Sequence, residues 1–422
     1  MFRRGGVSLR AVTLSTIALL FLIGRPAVSG PAPSPTCKLN AAIANQAGAG
    51  CARAWLDANL HINQIQSVGT SESYKLRPSK EMLSLIKMGS NADAEALDYD
   101  EPPLEVQLSE GARSLEFDVA YDPKGGLLKY PAGASMAGEL LADDYVSAMS
   151  VPGFKVLHIL DIDFNSSCLT LAVCLKSVAE WSRAHPDHLP IVIALRSNDE
   201  RTPMPGATKV FKFDTAAFDA LDAEIRAVFK PEEMITPQMV QGGYPTLREA
   251  ILAGNWPMLG AARGKVLFLL DDNKQKVTIY RGARASLEGR VMFVAADDKS
   301  PVAAFMTIDN AAKNAAAITA GVKAGLIVHT FADVDTREAR KNDPLRRDWA
   351  FASGAQIIST DFLIANKRIG KYKVHVPGGH VAQCNVQLLP QRCAELDVES
   401  GGIGETAEQL PDGGARLLGA RP

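Results

Sequence analysis

Glu116-Phe117-Asp118 is the stretch of this chain with the clearest capacity for chemistry. Strand alternation puts its two carboxylates on one side. Two carboxylates facing one point repel each other unless a cation or an arginine lies between them. Acidic groups recur at the ends of other apolar, β-rich runs: Asp161 with Asp163, Asp271 with Asp272, then Asp297, Asp333 and Asp361. Ser71 and Glu72, Arg196 and His329 stand at comparable places. A structural ion-pair network accounts for such a set as well as a metal or catalytic site does.

The elements that carry these residues are read from periodicity. Eight runs have strand character: 62–68, 114–119, 156–160, 191–195, 266–270, 291–295, 326–330 and 356–359. Several are apolar on both faces, as parallel strands covered by helices are. Helical periods over 169–185, 215–229, 310–324 and 336–350 lie between them. Eight such βα units predict a TIM-type (β/α)8 barrel, whose chemistry collects at the C-terminal strand ends. No Gly-rich phosphate loop follows the first strand, where Gly69-Thr70-Ser71 stands, so a doubly wound sheet is disfavoured. His158, inside the run 156–160, is offset by one from the face of Asp161 and is expected to point towards the covering helices. His185 and His188, flanking Pro186, read as surface residues.

The ends of the chain indicate the compartment. Arg3, Arg4 and Arg10 border an apolar run, 11–23, followed by Ala27-Val28-Ser29. That is the pattern of a removable signal peptide over 1–29, and the run is shorter than the roughly 20 residues a membrane span needs. Six cysteines fall as sequence-near pairs, Cys37–Cys51, Cys168–Cys174 and Cys384–Cys393, with no C-x-x-C motif. Structural disulfides suit a secreted or periplasmic protein. Residues 30–60 read as a linker with a local disulfide, 61–393 as the barrel, and 394–422 as a disordered tail. With 45 basic and 47 acidic residues the net charge is −2. No Lys/Arg block stands out, so a nucleic-acid partner lacks electrostatic support.

A resemblance runs through the same residues. Ile62-Asn63-Gln64-Ile65-Gln66-Ser67-Val68-Gly69-Thr70 with Ser73-Tyr74-Lys75, then Pro102-Pro103-Leu104 and Leu115-Glu116-Phe117-Asp118-Val119, resemble the calcium-dependent phosphoinositide-specific phospholipase C family of secreted bacterial and fungal type. So do Pro152-Gly153-Phe154-Lys155-Val156-Leu157-His158, Asp161-Ile162-Asp163, Ala332-Asp333-Val334-Asp335-Thr336 and Ser359-Thr360-Asp361. The resemblance implies a phosphodiesterase barrel in which an inositol 2-hydroxyl attacks the neighbouring phosphate. One group removes the hydroxyl proton and another protonates the leaving oxygen.

At the positions the resemblance implies for catalysis, this sequence departs. Ser71 and Tyr130 stand at the places of the two family histidines, and Glu72 at that of an asparagine that binds calcium. Glu116 and Asp118 match the metal set, whereas Arg196 stands where another metal carboxylate is expected. Glu101 takes the place of a further histidine, and His329 and Phe331 those of two arginines. A guanidinium repels calcium yet neutralises carboxylates, and metal-independent bacterial relatives are similar in placing an arginine where the ion would be. His329 is the spare acid/base candidate. The expectation is a divergent phosphoric diester hydrolase, acting on phosphoinositide-like lipids, with activity weakened or lost. The alternative is a non-catalytic barrel binding a phosphorylated ligand, a lipid headgroup or a protein. A phospholipid or phosphorylated small molecule is the implied partner, with peripheral membrane contact and a monomeric state.

Overall fold

Strands whose residues are apolar on both sides, such as Ile191–Ser197 and Val266–Leu270, need a packed interior on one face and helices on the other. The computed structural model describes residues 49–389, 393 and 396–402, all belonging to the unit Cys37–Pro422. Its strands are β1 (Ile65–Thr70), β2 (Ser114–Asp122), β3 (Gly153–Val156), β4 (Ile191–Ser197), β5 (Val266–Leu270), β6 (Met292–Val294), β7 (Phe305–Thr307), β8 (Ile327–Phe331), β9 (Ile357–Thr360) and β10 (Ala382–Cys384). Neighbours run in the order β6-β5-β4-β2-β1-β9-β8-β7. Parallel pairing of Ala295 with Phe305 brings β6 onto β7 and completes an eight-stranded parallel barrel. Helices cover its outside, as in a TIM-type fold.

Two strands differ from the sequence reading. Residues 156–160 are not a barrel strand. β3 instead returns antiparallel along β2, with Val119 opposite Val156 and Asp122 opposite Gly153, and the chain then leaves in a loop. The eighth barrel strand is β7, three residues long after Pro301-Val302-Ala303-Ala304, too short and alanine-rich to show a strand period. The helical period over 336–350 divides into Arg337–Lys341 and Leu345–Ser353. Asn342 turns left-handed at φ +51 and Pro344 cannot continue a helix.

β10 lies antiparallel along the first half of β1, and β2 meets β1 at Gly69 opposite Ser114. The approach there is close: a Cβ on Gly69 would stand 2.5 Å from Ser114 Cβ. Cys384–Cys393 and Cys168–Cys174 form as disulfides. Residues 1–29, read as a signal peptide, the remainder up to residue 48 with Cys37, residues 390–392 and 394–395, and residues 403–422 lie outside the described residues. Of the segment read as a linker, Ala49–Asn59 is a helix with Ala52 and Leu56 in the core. Of the segment read as a tail, Val398 is buried and donates to Ala382 O at 2.9 Å, and Glu399 pairs with Arg113.

Candidate active site

The loop after β1 is locked to β2 at the residue where the first carboxylate stands. Glu116 N donates to Ser73 Oγ at 2.9 Å and Ser73 N to Glu116 O at 3.1 Å. Gln107, fully buried, donates to Ser73 O at 2.6 Å. This holds Glu72 at φ +42, a left-handed conformation that a residue with a Cβ adopts only at a cost and that clusters at functional sites.

From that position Glu72 meets two partners. Its Oε1 lies 3.0 Å from His158 Nε2, and Tyr99 OH donates to its Oε2 at 2.5 Å. His158 Nδ1 lies 2.9 Å from Asp163 Oδ2, the same oxygen that takes Lys75 Nζ at 2.8 Å. Lys75 and Asp163 are completely buried. His158 thus faces the barrel mouth, correcting the expectation that it points towards the helices. The reason is topological: the β3 hairpin brings the chain back across β2 and places the residue after it beside the β1 loop. Burial opposes its charge, yet Glu72 and Asp163 hold the imidazolium well above its ordinary range. Burial likewise opposes ionisation of Glu72, but His158 and Lys75 outweigh it and pull the carboxyl down to about 2.

The second cluster is built around Arg196. Its Nη1 lies 3.1 Å from Glu116 Oε1 and its Nη2 3.7 Å from Asp271 Oδ2, with the Phe331 ring 5.8 Å from Cζ. Burial pushes Glu116 up to about 8 in spite of Arg196, with Asp118 and Asp271 adding to the rise. Glu116 Oε2 is buried without a partner. Asp118 accepts from Tyr74 OH at 2.8 Å. Burial raises its carboxyl, against the pull of His158 and Arg196, so Asp118 sits in the field of both clusters. Arg196 therefore bridges Glu116 to Asp271 rather than to Asp118.

His329 lies behind this second cluster. It is 1% exposed, and its Nδ1 stands 3.4 Å from Asp271 Oδ2 and its Nε2 2.8 Å from Ser359 Oγ. It meets Arg196 through Asp271 and through the Phe331 ring, 4.6 Å from its own. Ser71 is buried at the end of β1, its N–H donating to Thr360 O at 3.1 Å. Tyr130 is 69% exposed, with Lys129 over its ring at 5.4 Å. Glu101 and Asp361, both pushed up by burial and then by neighbouring acids, border Glu72 and Tyr99. Asp161 accepts from the backbone of Ala132 and Thr208, and Asp272 from Ser197 N, so both fasten loops.

A cation has one candidate place among the described residues: one ligand atom each of Glu72, Asp118 and His158 lie within 4.8 Å of one another. Glu72 and His158 already form an ion pair, Tyr99 donates to Glu72, and Tyr74 donates to Asp118 Oδ2. Calcium takes six to eight oxygens, and this trio supplies a protonated imidazole as its third member.

Residues 60–386 match the family described as phosphoinositide phospholipase C, Ca2+-dependent. The calcium-dependent phosphoinositol-specific phospholipase C of a Pseudomonas species is similar at 16% identity and a TM-score of 0.48, over 78% of this chain and 96% of that one. The calcium-dependent enzyme from Streptomyces antibioticus matches at 19% identity and 0.44, over 71% and 94%. The phosphatidylinositol-specific phospholipase C of Listeria monocytogenes matches at 11% and 0.40, over 74% and 94%. No curated protein matches the chain.

Proposed function

The chain belongs to the calcium-dependent phosphoinositide phospholipase C family, and from that premise we propose that it is a divergent, slow phosphodiesterase of phosphoinositide-like lipids in which Arg196 stands in for the metal. The observation that carries the reading is His158, held between Glu72 and Asp163 at 3.0 and 2.9 Å in the mouth that also holds Arg196.

Each role follows from the chemistry of the group. The exposed part of the Arg196 guanidinium (38% of the side chain) presents fixed charge and donors to a phosphodiester, a task for which its planar fork is suited. His158 arrives protonated and can pass the Nε2 proton to the leaving oxygen once substrate displaces Glu72. Asp163 and Lys75 behind it fix the ring. Glu72 is the carboxylate left to take the attacking hydroxyl's proton, and at about 2 its basicity is poor. General-base efficiency rises with matched pKa, so a low rate is the expected consequence.

The family's calcium supplies Lewis-acid stabilisation of the phosphate when bound. Here a dication next to Glu116 would have to displace Arg196, and one on Glu72 would have to displace His158. The residues present do not fit it, and no step is routed through it. Two disulfides among the described residues support an exported protein.

The test is cleavage of phosphatidylinositol vesicles in excess chelator and again with calcium. Equal turnover in both, lost in Arg196→Met, supports the metal-free reading. Turnover that requires calcium sinks it and restores the Glu72–Asp118–His158 cluster as a metal site. Absence of turnover in either condition, with lipid binding retained, leaves a non-catalytic binding barrel.

A further inference from the structure

The segment from the end of β9 to β10 carries a row of cations that no single run of the sequence displays. Residues 371–376 alternate: Tyr372, Val374 and Val376 are buried at 4%, 0% and 2%, while Lys371 and Lys373 face outward and His375 is half-buried. The alternation is that of an extended chain, so side chains two apart stand about 7 Å apart on one side. The row is rigid, because Tyr372 OH donates to Ala332 O at 3.1 Å and Val374 N to Phe362 O at 2.9 Å.

Lys371, Lys373 and His375 line a surface cavity of about 440 Å³ with Lys367 and the partly exposed Ile364. Its lining holds a single carboxylate, Glu110. The neighbouring Arg368 is neutralised, at 3.1 Å from Asp98 and against Asp100. Lys367, Lys371 and Lys373 form no ion pair among the described residues. Three unneutralised ammonium groups around one concavity, on a backbone that cannot spread to relieve their repulsion, are a standing unfavourable charge that an anion removes.

We propose that this cavity, whose lining shares no residue with the Arg196 and His158 clusters, is a second anion site, which takes a phosphate-bearing group through Lys367, Lys371 and Lys373. Ammonium groups on flexible stems act on phosphate as point charges and do not read its shape. The site therefore selects charge, and the group it takes is a free phosphate or the phosphate of an anionic lipid headgroup.

The experiment compares the full chain with a Lys371→Ala/Lys373→Ala double variant at low salt, using two probes. One is inorganic phosphate, followed by calorimetry. The other is vesicles of phosphatidylcholine with and without phosphatidylglycerol, followed by co-sedimentation. An Arg196→Met background removes phosphate captured in the mouth, and equal melting temperatures establish that the variants are folded. Near an anionic surface each lysine is worth roughly fivefold, so the double variant should bind phosphatidylglycerol vesicles about thirtyfold more weakly. Loss confined to vesicles identifies a lipid headgroup, and loss of phosphate binding identifies a soluble anion. Binding of both probes unchanged in the double variant, or binding of neither by the unaltered chain, overturns the proposal.

Discussion

The carboxylate of Glu72 and the imidazole of His158 meet at 3.0 Å across the barrel mouth, although one follows β1 and the other the hairpin from β2. Each sets the other's charge. Glu72 helps to keep His158 protonated, and His158 helps to keep Glu72 ionised although both are largely buried. The pair can hold a proton ready for transfer, and it gives the mouth its pH dependence.

Replacing His158 with Gln keeps a donor and removes the transferable proton. Phosphatidylinositol cleavage should fall by about 10²–10⁴-fold, measured at fixed pH with vesicle substrate. The same variant changes acid stability. Glu72 is lowered from 4.5 to about 2, so its contribution is present above 4.5 and lost as pH falls towards 2. Without His158 that carboxyl should move back up. Melting curves between pH 2 and 6 should therefore show a shallower acid loss for His158→Gln than for the unaltered chain. Parallel curves would mean that the pair contributes nothing.

Glu116 behaves in the opposite sense. Its folded-state value, about 8 against an ordinary 4.5, means that the folded chain holds a proton the unfolded chain has lost. Stability from this group is complete below 4.5 and is lost as pH rises through about 8. Glu116→Gln should remove that decline, so the unaltered chain's melting temperature should fall relative to the variant's between pH 4.5 and 8, and the two should run parallel above it. A variant that loses stability in step with the unaltered chain across that range would place the titration elsewhere.

The barrel was legible because β4 and β5 carry uniform apolar runs that only a doubly covered strand explains. β7 was not, since three residues give no period, and 156–160 misled because Val156, Leu157 and Leu160 are apolar and buried as in a barrel strand although only Val156 lies in β3. That error displaced His158 from the site. Tyr130 takes a motif position by resemblance, and in the insertion between β2 and β3 it is 69% exposed. The linear spacing carried no warning: residues 123–152, which include the helices Ala132–Ala137 and Asp143–Met149, are long enough for a parallel crossover. The Arg196–Asp271 contact depends on the closure of eight strands and has no linear signature.

Arg196→Asp should convert the mouth. The substitution removes the cation that opposes a metal and adds a third carboxylate beside Glu116 and Asp118, which oxygen-preferring calcium favours. Calcium titration by calorimetry should be silent for the unaltered chain at this place and show one new site in the variant, with melting temperature rising on addition of the ion. If the variant folds and takes up no calcium, the strand ends are set too far apart for an ion, and Arg196 is there for reasons other than replacing one.

Gly69 tests the frame that holds all of this. A Cβ there would approach Ser114 Cβ to 2.5 Å and Ser114 O to 2.8 Å, both parts of a central strand that cannot yield like the tip of a long side chain. β1 must shift away from β2, and overpacking of this kind costs about 1–3 kcal/mol. The shift propagates, because Ser73 fastens the β1 loop to Glu116 only a few residues later. Gly69→Ala should therefore lower the denaturation midpoint and also weaken the Glu72–His158 pair. That second effect is visible as a steeper fall of activity than Gly→Ala changes at exposed loop positions such as Gly243 produce. Stability lowered with full activity would show that the mouth is held by its own hydrogen bonds and not by the spacing of β1 and β2.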